Sequence, residues 1–300
     1  MVSIPSPVQR IQSVDFDQHE VEVWVKREDL IHPEIMGNKW RKLKYNLIEA
    51  QKSDSSTLVT FGGAYSNHIA ATAAAARECG LPSVGIIRGD ELSTDSNHTL
   101  REAAANGMEL RFVDRQLFRT LKADPKLIPH YNDYYVLPEG GTNHLAIKGC
   151  EEIVWELEEH YDYVVTAVGT GGTMAGVLKG LKGRSEVIGI SSLKGAWIDQ
   201  EFALLCQQFD ITETNYQIIK DFHFGGYGKV TDELIDFINR TKQKNGLQLD
   251  PIYTGKMYFG VSKLIKDQFF PLNSKILVLH TGGLQGIAGY NEKAEKKILL

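Results

Sequence analysis

Lys39 stands in Gly37-Asn38-Lys39-Trp40-Arg41-Lys42-Leu43, a glycine turn that runs straight into a helical pattern. Trp40, Leu43, Leu47 and Ala50 recur at helical spacing, which predicts an amphipathic helix with that side inward and Lys39 on its first turn. A helix start carries positive partial charge and favours anions, so an amine held there is pushed toward its free form. A free amine is the nucleophile needed to attack a carbonyl cofactor. A solvated lysine beside a helix cap is the simpler account of the same residue. Three further glycine-bearing turns follow predicted strands: Gly62-Gly63-Ala64-Tyr65-Ser66-Asn67-His68, Gly169-Thr170-Gly171-Gly172-Thr173 and Thr281-Gly282-Gly283-Leu284. Gly169 to Thr173 open a helix, and exposed amides with small side chains and two hydroxyls suit a phosphate. The same five residues also make an ordinary strand-to-helix turn. Ser66 reads as a helix N-cap; with Asn67 and the free amides it could instead receive a substrate carboxylate or a ring oxygen. His68, taken alone, reads as a satisfied polar residue. Tyr227, in Phe224-Gly225-Gly226-Tyr227-Gly228, and Tyr253, in Asp250-Pro251-Ile252-Tyr253-Thr254-Gly255-Lys256, are turn aromatics of the kind a flat cofactor uses.

Other ligands fit less well. A dinucleotide fingerprint needs glycine or alanine where Met174 stands and an acid at the end of the next strand, which here reads Ile190-Ser191-Ser192. A nucleoside triphosphate loop needs Ser or Thr after Gly-Lys, but Gly228-Lys229 and Gly255-Lys256 are followed by valine and methionine. His130, His144, His160, His223 and His280 show no paired metal-ligand spacing, so no metal is expected.

The elements that must position these turns alternate. Strands are expected at Val21–Val25, Thr57–Phe61, Ser83–Ile87, 109–113, 134–137, Tyr163–Val168, Val187–Ser191, Tyr216–Ile219 and Lys275–Leu279. Helices are expected at Ile69–Arg77, Thr99–Ala105, Gln116–Leu121, Asn143–His160, after Thr173, at Asp199–Phe209 and at Thr231–Lys244. Such alternation implies crossover units and an α/β fold, with mostly parallel open sheets covered by helices on both faces. Loops at the carboxyl ends of such strands line the ligand crevice, so the glycine turns are expected to share one site. The 300 residues allow one large or two smaller domains. A net charge of −5 argues against nucleic acid, whose binding needs surplus Lys and Arg. No apolar run reaches membrane-spanning length, and Met1 to Pro7 lack the order of a secretory signal. Cys79, Cys150 and Cys206 fit neither a metal knuckle nor a disulfide framework, so a reducing, cytoplasmic setting is expected.

Taken in order, Gly37 to Leu43, Gly63 to His68, Gly169 to Thr173, Asp250 to Lys256 and His280 to Gly283 resemble the family of D-cysteine desulfhydrase and 1-aminocyclopropane-1-carboxylate deaminase. These are pyridoxal-phosphate enzymes of fold type II, related to the tryptophan synthase β chain. The resemblance implies two lobes, a large one from residues 1–47 and 151–300 and a small one from 48–150, and usually a homodimer. It implies that Lys39 binds pyridoxal 5'-phosphate covalently and takes the α-proton from the substrate. Gly169, Thr170, Gly171, Gly172 and Thr173 would hold the phosphate, and Asn67 would bond the ring hydroxyl. Ser66 with the helix start would receive the substrate carboxylate, with Asn67 and His68 beside it. Tyr253 would stack on the ring or touch substrate, with Tyr227 nearby. Deaminases of the family carry an acid at the position of Thr254 and leucine at that of Thr281. A hydroxyl facing the pyridine nitrogen makes a weaker electron sink, which suffices when a β-thiol leaves. The expected reaction is therefore β-elimination from a small amino acid, D-cysteine giving pyruvate, ammonia and sulfide. The alternatives are cyclopropane deamination, a lyase for D-serine or another β-substituted amino acid, and a non-catalytic homologue that binds the cofactor. The family's usual glutamine before the serine is Tyr65 here, and Ala70 stands near its usual arginine.

Overall fold

The structure, a computed structural model, describes residues 2–12, 16, 18–53 and 57–300. They form two compact units, one from Met1–Asn38 with Cys150–Leu300 and the other from Lys39–Gly149. The first holds six strands: β1 (Val8–Ile11), β2 (Glu22–Lys26), β7 (Tyr163–Val168), β8 (Glu186–Ser191), β9 (Tyr216–Ile219) and β10 (Lys275–Leu279). Their order is β1-β2-β10-β7-β8-β9, parallel throughout except for the β1 edge. The second holds β3 (Thr57–Gly63), β4 (Ser83–Arg88), β5 (Met108–Val113) and β6 (Tyr134–Val136), ordered β5-β4-β3-β6 and all parallel. Parallel strands need crossovers, and the helices that supply them flank the sheets. They are α1 (Asn38–Lys52), α2 (Asn67–Cys79), α3 (His98–Ala105), α4 (Arg115–Ala123), α5 (His144–Trp155), α6 (Gly172–Leu181), α7 (Trp197–Gln208), α8 (Asp232–Asn245), α9 (Thr254–Lys266) and α10 (Gly286–Lys293). The chain is thus an α/β protein with two parallel-dominated sheets.

Central strands buried on both faces read as continuous apolar runs rather than alternating ones. Ile276 to Leu279 of β10 fit that rule and are all fully buried. In the large unit they join Val23, Val25, Val165, Ile188 and Ile190 from neighbouring strands and Leu234, Met257 and Val261 from α8 and α9. In the small unit Val59, Phe61, Val84 and Ile86 pack with Phe118 and Leu121 of α4, and Phe61 meets Phe118 edge-on.

Several elements depart from the sequence expectation, which includes neither β1 nor α10. The helix expected over Asn143–His160 stops at Trp155, and the next residue, Glu156, takes bonds from Lys26 Nζ and Ser6 N. Residues 254–266, expected to open as a turn, form α9 although Gly255 and Gly260 weaken helix propensity. Burial supplies the stability instead, since Thr254 through Val261 are all buried. On α1 the buried stripe is Arg41, Lys42, Leu43, Asn46 and Ala50, with Trp40 and Leu47 only half-buried, so the helix is turned by about one residue from the apolar expectation. No helix among the described residues is long and apolar enough to cross a membrane.

Candidate active site

In the large unit, Gly169 to Thr173 lie between the end of β7 and the first turn of α6. Gly171 is the N-cap, in left-handed backbone at φ +78°, and no side chain caps the helix. A Cβ at this position would lie 3.0 Å from the Phe202 ring, so the loop is closed to larger residues. The first helical bond is donated by Ala175 N to Gly171 O at 2.9 Å, so the amides of Gly172 and Thr173 stand in the first turn, where the helix itself supplies no acceptor and an anion is favoured. Thr173 is buried and its Oγ1 receives a 2.7 Å hydrogen bond from Asn38 Nδ2. Tyr253 lies beside the same loop: a Cβ on Gly169 would stand 3.0 Å from its ring. Tyr227, half-exposed, meets Tyr253 edge-on with ring centroids 6.1 Å apart.

The turn after β10 is seated against the residues before α1. Asn38 N donates to Thr281 O at 3.4 Å, and a Cβ on Gly37, at φ +61°, would lie 2.1 Å from that same oxygen. Gly37→Ala is therefore expected to destabilise the protein by about 2–4 kcal/mol, combining left-handed strain with overpacking. A urea midpoint lowered at constant m checks it. Beneath Thr281, His280 Nε2 bonds Gln248 O at 2.5 Å, and Gly282 N donates to His280 Nδ1 at 3.3 Å. Buried Asp29 lies 3.4 Å from that ring and is held by the Arg27 guanidinium at 2.7 Å. Thr281 itself is buried. Thr254, expected among the cofactor contacts, is fully buried, and its hydroxyl is committed to Asp250. Its Oγ1 donates to Asp250 Oδ1 at 2.7 Å and accepts from Asp250 N at 2.9 Å. Asp250 also takes the amides of Ile252, Tyr253 and Thr254 at 2.8 to 2.9 Å, fixing the start of α9.

In the small unit, Lys39 occupies the first turn of α1 and is half-buried. Ser66 caps α2, its Oγ accepting from Ile69 N at 3.3 Å, and Asn67 is the first helical residue, half-buried. Tyr65 just before them is 41% exposed, so its ring is not part of the core. His68 turns inward. Thr60 Oγ1 lies 2.8 Å from His68 Nε2 and donates its one hydrogen to Leu137 O at 3.2 Å, so Nε2 carries the proton. Nδ1 is then a bare lone pair, buried and without a hydrogen-bond partner. Burial, reinforced by the charges of Lys39 and Lys42, holds His68 well below its ordinary range, so the imidazole is neutral at pH 7.

Several organising residues carry no sequence signal of their own. Lys42 is fully buried and donates to Gly140 O at 2.9 Å and Thr142 Oγ1 at 3.0 Å. Asn46 exchanges side-chain hydrogen bonds with Asn143 and accepts from Tyr135 OH at 3.0 Å. The single hint is their spacing: Lys42 and Asn46 are four apart on the face that also carries Leu43 and Ala50.

Comparison with known proteins adds to this geometry. The family of pyridoxal-phosphate dependent enzymes matches over residues 2–282. A Pyrococcus abyssi protein provisionally named a 1-aminocyclopropane-1-carboxylate deaminase is 34% identical, over 91% of this chain and 88% of its own. A mitochondrial Arabidopsis thaliana protein named bifunctional D-cysteine desulfhydrase/1-aminocyclopropane-1-carboxylate deaminase is 29% identical, over 96% of this chain and 78% of its own. A solved structure described as a homologue of the deaminase superposes with a TM-score of 0.82 at 28% identity, covering 97% of this chain and 93% of that one. The two sheets and the family match define a pyridoxal-phosphate-dependent enzyme of fold type II. Within that class the chain belongs to the D-cysteine desulfhydrase and 1-aminocyclopropane-1-carboxylate deaminase family. Its own residues fit the cofactor: the uncapped start of α6 offers amides to a phosphate, and a tyrosine ring borders that loop.

Proposed function

We propose that this enzyme catalyses β-elimination from a small amino acid with a good leaving group, D-cysteine and water giving pyruvate, ammonia and hydrogen sulfide. The observation that carries this is the state of the two threonines. Thr254 stands where an acid would strengthen the electron sink, and its hydroxyl is spent on Asp250, leaving Thr281 as the strand-end group for the ring nitrogen. Bound pyridoxal phosphate supplies the sink for electrons released from the Cα–H bond. Lys39 attaches the cofactor through its amine and moves the α-proton. Gly169, Thr170, Gly171, Gly172 and Thr173 hold the phosphate through the start of α6. Asn67 bonds the ring oxygen, and Ser66 with the first amides of α2 takes the substrate carboxylate. Tyr253 and Tyr227 flank the ring or the substrate. His68 follows Asn67 on α2, buried with its Nε2 against Thr60 Oγ1.

A panel of D- and L-amino acids, scored for keto acid and sulfide, tests this. The expected result is pyruvate and sulfide in equal amounts from D-cysteine. The names of the Pyrococcus abyssi and Arabidopsis thaliana relatives favour a second reading, ring opening of 1-aminocyclopropane-1-carboxylate. Formation of 2-oxobutanoate from that substrate, with no sulfide from D-cysteine, would replace the first reading by the second.

A further inference from the structure

Lys256 has no part in the chemistry described so far, yet it is fully buried in α9. A buried ammonium is strongly disfavoured unless something compensates it. Its Nζ donates to His223 O at 2.9 Å and to Gly226 O at 2.8 Å. Both acceptors belong to the turn between β9 and α8, whose next residue is Tyr227. The turn has little preference of its own for this shape: Phe224, Gly225, Gly226 and Gly228 all lie at positive φ, +53°, +96°, +118° and +71°. Its internal ties include Gly226 N to His223 O at 3.0 Å, Lys229 N to Gly226 O at 3.1 Å and Gly225 N to His223 Nδ1 at 2.9 Å. Tyr253 begins the helix that carries Lys256, so one element bears one ring of the tyrosine pair and the tether of the other.

We propose that Lys256 is a positioning residue: its side chain holds the His223–Gly228 turn closed on α9 and so fixes Tyr227 edge-on to Tyr253. The consequence for turnover rests on the role proposed above for the two tyrosines; the tether itself does not. The titratable groups around it include Asp250 at the start of α9, the His223 ring, whose Nδ1 accepts from Gly225 N, and Lys194 and Lys229, whose stems abut Gly226 and Gly225. Burial lowers the Lys256 ammonium to about 8, with Asp250 opposing the shift. Opening the turn returns the amine to water and to its ordinary, higher range, so opening takes up a proton. Raising the pH from 7 to 9 therefore favours the closed turn.

Hydrogen exchange read by mass spectrometry on the full chain, with and without added pyridoxal phosphate, tests the tether. In Lys256→Met, residues 222–229 are expected to exchange roughly tenfold faster or more, as befits lost charge-assisted hydrogen bonds, while the strands keep their protection. In the unsubstituted protein, protection of that segment relative to its intrinsic exchange rate rises between pH 7 and 9; in the variant it does not. Equal exchange in both proteins, or loosening spread evenly over the chain, overturns the proposal. Should the variant not fold, the pH series on the unsubstituted protein decides alone, a flat or falling protection counting against it. With a turned-over amino acid in hand, the kcat/KM losses of Lys256→Met and Tyr227→Ala should fail to add in the double variant, and additive losses overturn the coupling. The exchange result stands whatever the amino-acid panel gives, so failure of the tether and failure of the proposed reaction are told apart.

Discussion

Lys39→Ala is expected to lose covalent attachment of pyridoxal phosphate and to lower turnover by about a thousandfold or more, the loss of a nucleophile and a proton carrier together. Borohydride treatment of the loaded enzyme followed by peptide mapping should find the cofactor's mass on residue 39 and nowhere in the variant. The neighbourhood makes this a discriminating experiment. Lys42 lies one turn further along the same helix, and Lys256 is buried in the large unit, so both are rival amines for the same chemistry. Lys42 is occupied by Gly140 O and Thr142 Oγ1, and Lys256 by two turn carbonyls. Label on either of them, with residue 39 unmodified, would refute the assignment.

Lys26→Met is expected to destabilise the protein by about 3–5 kcal/mol, the effect of removing one member of a buried charge network. Lys26 at the end of β2 and Glu28 just beyond it are both fully buried. The ammonium bonds Ser6 O at 3.0 Å and Glu156 Oε2 at 3.1 Å and lies 4.0 Å from Glu28 Oε1, which Ser6 Oγ also contacts at 2.5 Å. Methionine fills the volume but removes the ammonium that Ser6 O, Glu156 and Glu28 surround. The urea midpoint should fall at unchanged m, and adding Glu28→Gln should recover part of the loss. If the single variant melts like the parent, the network contributes specificity of fold rather than stability.

The strands around the site are legible because burial on two faces writes itself as uninterrupted apolar runs, as in Val164-Val165 and Ile276 to Leu279. The glycine turns after them are legible for a local reason as well, since a strand that ends in Gly-Thr-Gly-Gly needs backbone that other residues avoid. What a linear pattern does not carry is polar burial. Lys42, Asn46 and Lys256 face inward because partners about thirty to a hundred positions away accept their hydrogen bonds, and no period in the chain records those partners. The same blindness rotates α1 in the apolar reading and hides α9, where tertiary enclosure overrides two glycines. For the site, the residue types are readable and some local allegiances are too, Ser66 capping its helix as its place before an Ala-rich run implies, whereas the tie of Thr254 to Asp250 leaves no such mark.

The bond between Thr254 and Asp250 bears on how substrate preference can change on this frame. Placing a glutamate at position 254 would remove the hydroxyl proton that Asp250 now receives. It would also set a second carboxyl group in an enclosed place beside the first, where two like charges cannot both ionise freely. An acid at position 254 therefore calls for an accompanying change at Asp250 and the mouth of its helix, and a lone replacement is penalised before it ever meets a substrate.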